Sequence, residues 1–182
     1  MATLREAWDF LAESELIASA VEVETAVQRL AEEVHARLWQ SYPLVLILLR
    51  GAVVFAGQLL PRLRFPLDLD YADATRYGAE TRGGELLWRV PPSDRVRGRA
   101  VLALDDILDA GQTLQALRDR VLGLGATSFH SAVLVEKLRS EAKPYAADFV
   151  GLRIPDRFVF GCGMDARGLW RNLPEIRAMR ER

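Results

Sequence analysis

VLALDDILDAGQTL, residues 101–114, changes character abruptly. With Ala100 it opens on an apolar run, AVLAL, that reads as a buried strand. Three carboxylates follow, Asp105, Asp106 and Asp109. Then come Ala110, Gly111, Gln112 and Thr113, where a helical pattern over residues 113–124 begins. In open α/β sheets ligands sit beyond the carboxyl ends of strands. The free N–H groups at a helix start attract anions. Gly111 lets the backbone approach a ligand closely, and Thr113 adds a hydroxyl donor. One loop thus offers donors to a phosphate and carboxylates to hydroxyls or a hydrated metal, the two kinds of group a ribose phosphate presents. Surface acids with a simple N-cap by Asp109 or Thr113 are the bland alternative. The whole order favours a site. No Gly-Lys-Ser/Thr ending marks a P-loop, and no G-x-G-x-x-G follows a strand. A receiver domain would carry paired acids on its first strand, whereas here a strand and a long helix come first.

The flanking sequence supports an α/β reading. Ala26, Leu30, Val34 and Leu38 recur at helical spacing within residues 23–40. LVLILL at 44–49 is a continuous apolar run, as expected of a parallel strand buried on both faces. Residues 52–63 read as a helix that ends or kinks near Pro61, and residues 67–74 alternate like a strand. Residues 75–85 are polar and carry three glycines, which predicts a mobile loop. Further strands are expected at 86–90, 129–137, 148–152 and 158–163. The order of elements predicts a largely parallel sheet with flanking helices.

Half of the 182 residues are hydrophobic, enough for a single domain with a sizeable core. Lys and Arg number 24 and Asp and Glu 25, a net charge of −1. That balance gives no general attraction to nucleic acid or to an acidic membrane. The single cysteine, Cys162, excludes an intrachain disulfide. No run approaches a membrane span, and the N-terminus lacks a signal-peptide pattern, so a cytoplasmic protein is expected.

VLALDDILDAGQTL resembles the phosphoribosyl-pyrophosphate (PRPP) motif of type I phosphoribosyltransferases. Residues 135–176, VEKLRSEAKPYAADFVGLRIPDRFVFGCGMDARGLWRNLPEI, are similar to hypoxanthine-guanine phosphoribosyltransferases. With LLRGAVVFAGQLL at 48–60, that resemblance spans about residues 12–177 in matching order and spacing. The loop ATRYGAETRGGEL looks like a proteobacterial subset. The resemblance implies one domain over residues 1–182, with a small hood from about 1–22 and 150–182. It implies transfer of phosphoribose from PRPP to a 6-oxopurine, with Mg²⁺ as cofactor, in a homodimer or homotetramer.

Residue by residue, the resemblance makes Asp109 the catalytic group. It makes Asp105 and Asp106 ligands of the ribose hydroxyls and a metal, and residues 109–113 the 5′-phosphate loop. Arg50, Gly51 and Arg171 match the pyrophosphate site, where members often hold a cis peptide. Lys137 matches the reader of the purine 6-oxo group, Phe158 the stacking aromatic and Val159 the backbone reader of the base edge. Asp165 matches a second metal-linked acid, and Arg76-Tyr77 the loop that closes over the reacting centre. An ammonium suits a 6-oxo acceptor and rejects an amino group, which agrees with that role for Lys137.

Four positions depart from the usual pattern: Arg50 replaces Lys, Asp105 replaces Glu, Ala110 replaces a hydroxyl residue and Arg76 replaces Ser. His35, His130 and Cys162 lack metal-ligand spacing. Trp8, Trp39 and Trp88 read as packing residues. Two alternatives stay open at this point. One is a PRPP- or nucleotide-sensing regulator that binds RNA, and the other is a xanthine-preferring transferase.

Overall fold

The apolar runs at 44–49 and 100–104 become the central strands of a six-stranded sheet in the computed structural model, which describes residues 3–76 and 86–180. In chain order the elements are α1 (Leu4–Ala12), β1 (Ser14–Ala18), α2 (Ala20–Leu38), β2 (Leu44–Leu49), α3 (Val53–Leu59), β3 (Asp68–Arg76), β4 (Leu86–Val90), β5 (Ala100–Leu108), α4 (Gln112–Gly123), β6 (Ser128–Leu138), β7 (Phe149–Pro155), β8 (Val159–Phe160) and β9 (Ile176–Met179). The larger sheet runs β4-β3-β2-β5-β6-β7. Only the β3–β4 pair is antiparallel.

This order places a topological switch between β2 and β5. The chain leaves β2 through α3 toward β3, and leaves β5 through α4 toward β6. The loops after the two central strands therefore diverge and open a crevice at the carboxyl edge of the sheet. Both faces are covered, which is why the central strands read as unbroken apolar runs. Val27, Leu30 and Val34 of α2 and Phe55 and Leu59 of α3 pack on one face. Leu114, Leu117 and Val121 of α4 cover the other. Ser19 and Glu22 form a capping box at the start of α2, a device that contributes about 1 kcal/mol.

A second sheet, β1-β9-β8, joins the two ends of the chain. Ser14 pairs with Met179 and Ala18 with Ile176. Its inner residues Val159, Ile176 and Ala178 merge into the core on the α2–α3 side. Neither α1 nor the strands β1 and β9 are signalled by the sequence pattern. Phe149–Pro155, most of which falls in the span expected to form the hood, pairs with β6 in the larger sheet. Trp88 packs against the α4 side of the core, as expected. Trp8 and Trp39, also expected to pack, are about half exposed; Trp8 meets Trp170 edge-on at 5.1 Å. No described helix is long and apolar enough to cross a membrane. Tyr77 and the rest of its loop through residue 85 lie outside the described residues, as does the side chain of Arg76.

Candidate active site

The switch-point crevice holds a cavity of about 390 Å³ lined by both diverging loops. The loop after β2 contributes Leu49 and Gly51, and the Leu49–Arg50 peptide is cis. The end of β5 contributes Asp105 and Asp106, the turn into α4 adds Asp109, Ala110 and Gly111, α4 adds Thr113, and Arg171 closes one side. Arg50 is exposed beside the cavity; neither it nor Gln112 lines the wall. The strand continues through the two acids to Leu108, so Asp105 and Asp106 belong to β5 itself and Asp109 follows it.

Gly111 has φ of +80° and is the N-cap of α4, with no side chain capping the helix. Gly111 thus takes the N-cap position considered for Asp109 or Thr113. The first N–H groups of α4 face the end of the crevice with the positive end of the helix dipole. Glycine is required for two further close approaches. A Cβ on Gly51 would fall inside the Asp106 carboxylate, and one on Gly163 (φ +103°) would fall on the Gly51 carbonyl oxygen. The turn carrying Gly163 is thus seated on the loop after β2.

A smaller cavity of about 220 Å³ adjoins the first and shares Asp106, Asp109 and Arg171 with it. Its other walls are Lys137 from β6 and Phe158, Val159 and Asp165 from the hood. Every residue matched to the base site thus lines one recess. Lys137 is buried, whereas Phe158 is 58% exposed and offers a ring at the mouth. Arg171 donates to the Gly163 carbonyl at 2.6 Å and pairs with Asp165. Asp165 also accepts from the Gly168 N–H at 2.6 Å.

The three acids of the opening run have different electrostatics. Burial and the adjacent Asp106 charge push Asp105 well above the usual carboxylate range. Burial also raises Asp106, against the opposing pull of its hydrogen bond with Asp105 and the Arg171 charge. The Asp106 N–H donates to Asp105 Oδ1 at 3.0 Å. Asp109 is subject to the same burial effect, but Arg139 and Lys137 outweigh it and hold its carboxyl below the usual range. Arg139 Nη1 donates to Asp109 Oδ1 at 2.7 Å, and Lys137 Nζ to Oδ2 at 3.1 Å. Asp156 Oδ1 lies 3.8 Å from both cations.

Arg139, Asp156 and Lys143 are site-edge residues that motif reading missed. Arg139 lies just past the end of β6, so strand alternation does not mark it. Lys143 Nζ donates to the carbonyls of Lys137 (2.6 Å) and Leu108 (3.4 Å), tying the ends of β5 and β6 together. Asp105, Asp106 and Asp165 do not form one metal trio; among the described residues no three His, Cys, Asp or Glu converge to hold an ion. The Asp105–Asp106 pair offers oxygen donors only, which suits a hard cation.

The crevice offers an anion cradle, paired acids and a recess with an ammonium beside an aromatic ring. Comparison with known proteins agrees with this chemistry. Residues 14–167 match the model of the phosphoribosyl transferase domain. Hypoxanthine-guanine phosphoribosyltransferase of Bacillus subtilis is 32% identical over 162 residues, covering 88% of this chain and 90% of the relative. The solved hypoxanthine phosphoribosyltransferase of Staphylococcus aureus superposes with a TM-score of 0.84 at 27% identity, over 93% of this chain and 94% of that one. A hypoxanthine-guanine phosphoribosyltransferase structure from Bacillus anthracis gives a TM-score of 0.82 at 26% identity, over 90% and 95% of the two chains. These relatives are named as transferases, which leaves the RNA-binding alternative without support. The chain belongs to the phosphoribosyltransferase family, in its hypoxanthine-guanine branch.

Proposed function

We propose that this enzyme transfers the phosphoribosyl group of PRPP to hypoxanthine or guanine, giving IMP or GMP and pyrophosphate, a purine-salvage reaction. One observation carries the reading. The cradle suited to a sugar phosphate and the recess suited to a flat oxo-heterocycle adjoin, and they share Asp106, Asp109 and Arg171. Two substrates bound there would meet at that shared wall.

Each residue then has a role. The backbone N–H groups of residues 110–113 and the Thr113 hydroxyl hold the 5′-phosphate. Ala110 contributes no hydroxyl, so more of this task falls on the backbone. Asp105 and Asp106 hold the ribose hydroxyls, while Gly51, Arg50 and Arg171 address pyrophosphate. Phe158 stacks on the base, the Val159 backbone reads its edge, and Asp165 orients Arg171. By the resemblance alone, Arg76, which ends β3, and Tyr77 would help exclude water from the centre. Lys137 donates to the 6-oxo group; against adenine its ammonium would face another donor, a mismatch that rejects that base. Asp109 accepts or stabilises the proton leaving purine N7 as the glycosidic bond forms. Its negative charge also favours a cationic sugar in the transition state.

Mg²⁺ fits the donor set, because it binds through one or two carboxylates and completes its shell with water and substrate phosphates. Asp105 and Asp106 would hold it, and when bound it offsets charge on the departing pyrophosphate.

The test supplies purified protein with PRPP and Mg²⁺ and, in parallel, hypoxanthine, guanine, xanthine or adenine. Nucleotide is expected with hypoxanthine and guanine and not with adenine. Product with xanthine alone would move the assignment to a xanthine enzyme, and no product with any base would overturn it.

A further inference from the structure

We propose that Arg139 is a positioning residue for this transfer: it holds the Asp109 carboxylate so that Lys137 is free to address the purine. The inference rests on the function proposed above. Lys137 has one charge and two claims on it. In the free protein its Nζ lies 3.1 Å from Asp109 Oδ2, yet the same ammonium must reach the 6-oxo group of the base. With no other cation at Asp109, moving Lys137 toward the base would strip a partly buried carboxylate of its partner, a costly change.

Arg139 removes that conflict. Its Nη1 already donates to the other oxygen, Oδ1, at the shorter distance of 2.7 Å. Asp156 Oδ1 stands 3.8 Å from Lys137 Nζ and from Arg139 Nη1, and Glu141 Oε2 is 3.6 Å from Arg139 Nη2. Lys137, Arg139, Asp109 and Asp156 form a balanced quartet. Lys137 can leave it and Asp109 keeps a charged partner. Arginine suits the post, since its five fixed donors can serve several carboxylates at once and its charge is permanent. The side chain is 22% exposed and the Asp109 side chain 44%, so the contact lies at the rim and is not part of the core. Lys143, bonded to the carbonyls of Lys137 and Leu108, fixes the backbone on which the two partners stand.

The experiment compares wild type with Arg139→Met, Arg139→Gln and Arg139→Lys. In Arg139→Met, Lys137 becomes the sole cation on Asp109. We expect the hypoxanthine KM to rise about tenfold and kcat to fall severalfold, with the PRPP KM unchanged, since the phosphate cradle is untouched. Arg139→Gln keeps a donor without the charge and falls between, and Arg139→Lys restores most of the loss. A purely structural role would move both KM values together and lower the melting temperature. A double-mutant cycle with Asp109→Asn is read in IMP affinity by calorimetry, so that it does not depend on turnover. The effect of Arg139→Met should be about tenfold when Asp109 is intact and absent in the Asp109→Asn background. Wild-type kinetics for Arg139→Met, or equal effects of the substitution in both backgrounds, would overturn the inference and leave the transferase reading intact. A wild type inactive with every base would instead sink that reading.

Discussion

Asp105 and Asp106 lie near the end of a buried strand, and Asp109 lies three residues further along the same chain, yet their surroundings are opposite. The first two are adjacent, with little built-in positive charge, and burial raises both. Asp109 is bracketed by an ammonium and a guanidinium and is lowered. The pair is buried with little opposing charge of its own. Asp109 has its counter-charges built into the protein and stays ionised when the crevice is empty. Three like residues in one stretch thus divide into a pair with little opposing charge and a fixed negative group.

The strongest way to break this comparison is to remove the fixed charge. Asp109→Asn should lower kcat by about 10²–10⁴-fold, the usual contribution of a positioned acid–base group, while PRPP affinity changes little. Steady-state kinetics with PRPP varied would decide it; wild-type turnover would remove Asp109 from the chemistry. Lys137→Met should cost roughly 10²-fold in kcat/KM for hypoxanthine and narrow the gap to adenine, measured by competing the two bases.

A smaller effect sharpens the contrast through pH. Asp105 is held above the ordinary aspartate value of ~3.9, so the unfolded chain ionises first as pH rises. The free protein therefore loses stability from that value up to the raised one. Asp105→Asn should remove the loss and raise the melting temperature at neutral pH by a few degrees, on the order seen for modest stabilisation of a domain this size. Asp109 runs the other way. Its contribution is present above the ordinary value and is lost as pH falls through its lowered folded value. Melting curves of wild type, Asp105→Asn and Asp109→Asn across acid and neutral pH should separate the two. The smallest effect is a control. Cys162 is buried and its thiol is pushed up to about 12, chiefly by burial and then by Glu175. A raised value alone therefore does not mark a functional group. At pH 8 a thiol reagent should leave native protein unlabelled and react fully only in denaturant.

Much of this was legible in the sequence because burial on two faces writes itself as apolar runs. LVLILL and AVLAL were readable for that reason, and the order of acids, glycine and threonine pointed to the crevice. The hood was less readable. SELIA and IRAM are short, mixed in polarity and half-exposed, and they pair across most of the chain, beyond the reach of any local pattern. Asp156 and Arg139 look like ordinary solvated charges beside a strand end; only the fold brings them to Asp109. Trp8, read as a packing residue, does pack against Trp170, but from the surface, since α1 buries only Ala7.

The pairing of Ser14 with Met179 also has a consequence for how the protein is made. β5, α4 and β6 leave the ribosome well before β9, so the central strands can pair while both cavities still lack the wall that Arg171 supplies. Long-range pairings of this kind form late. The crevice is therefore complete only after the last strand has emerged, and the connectivity sets that order of assembly.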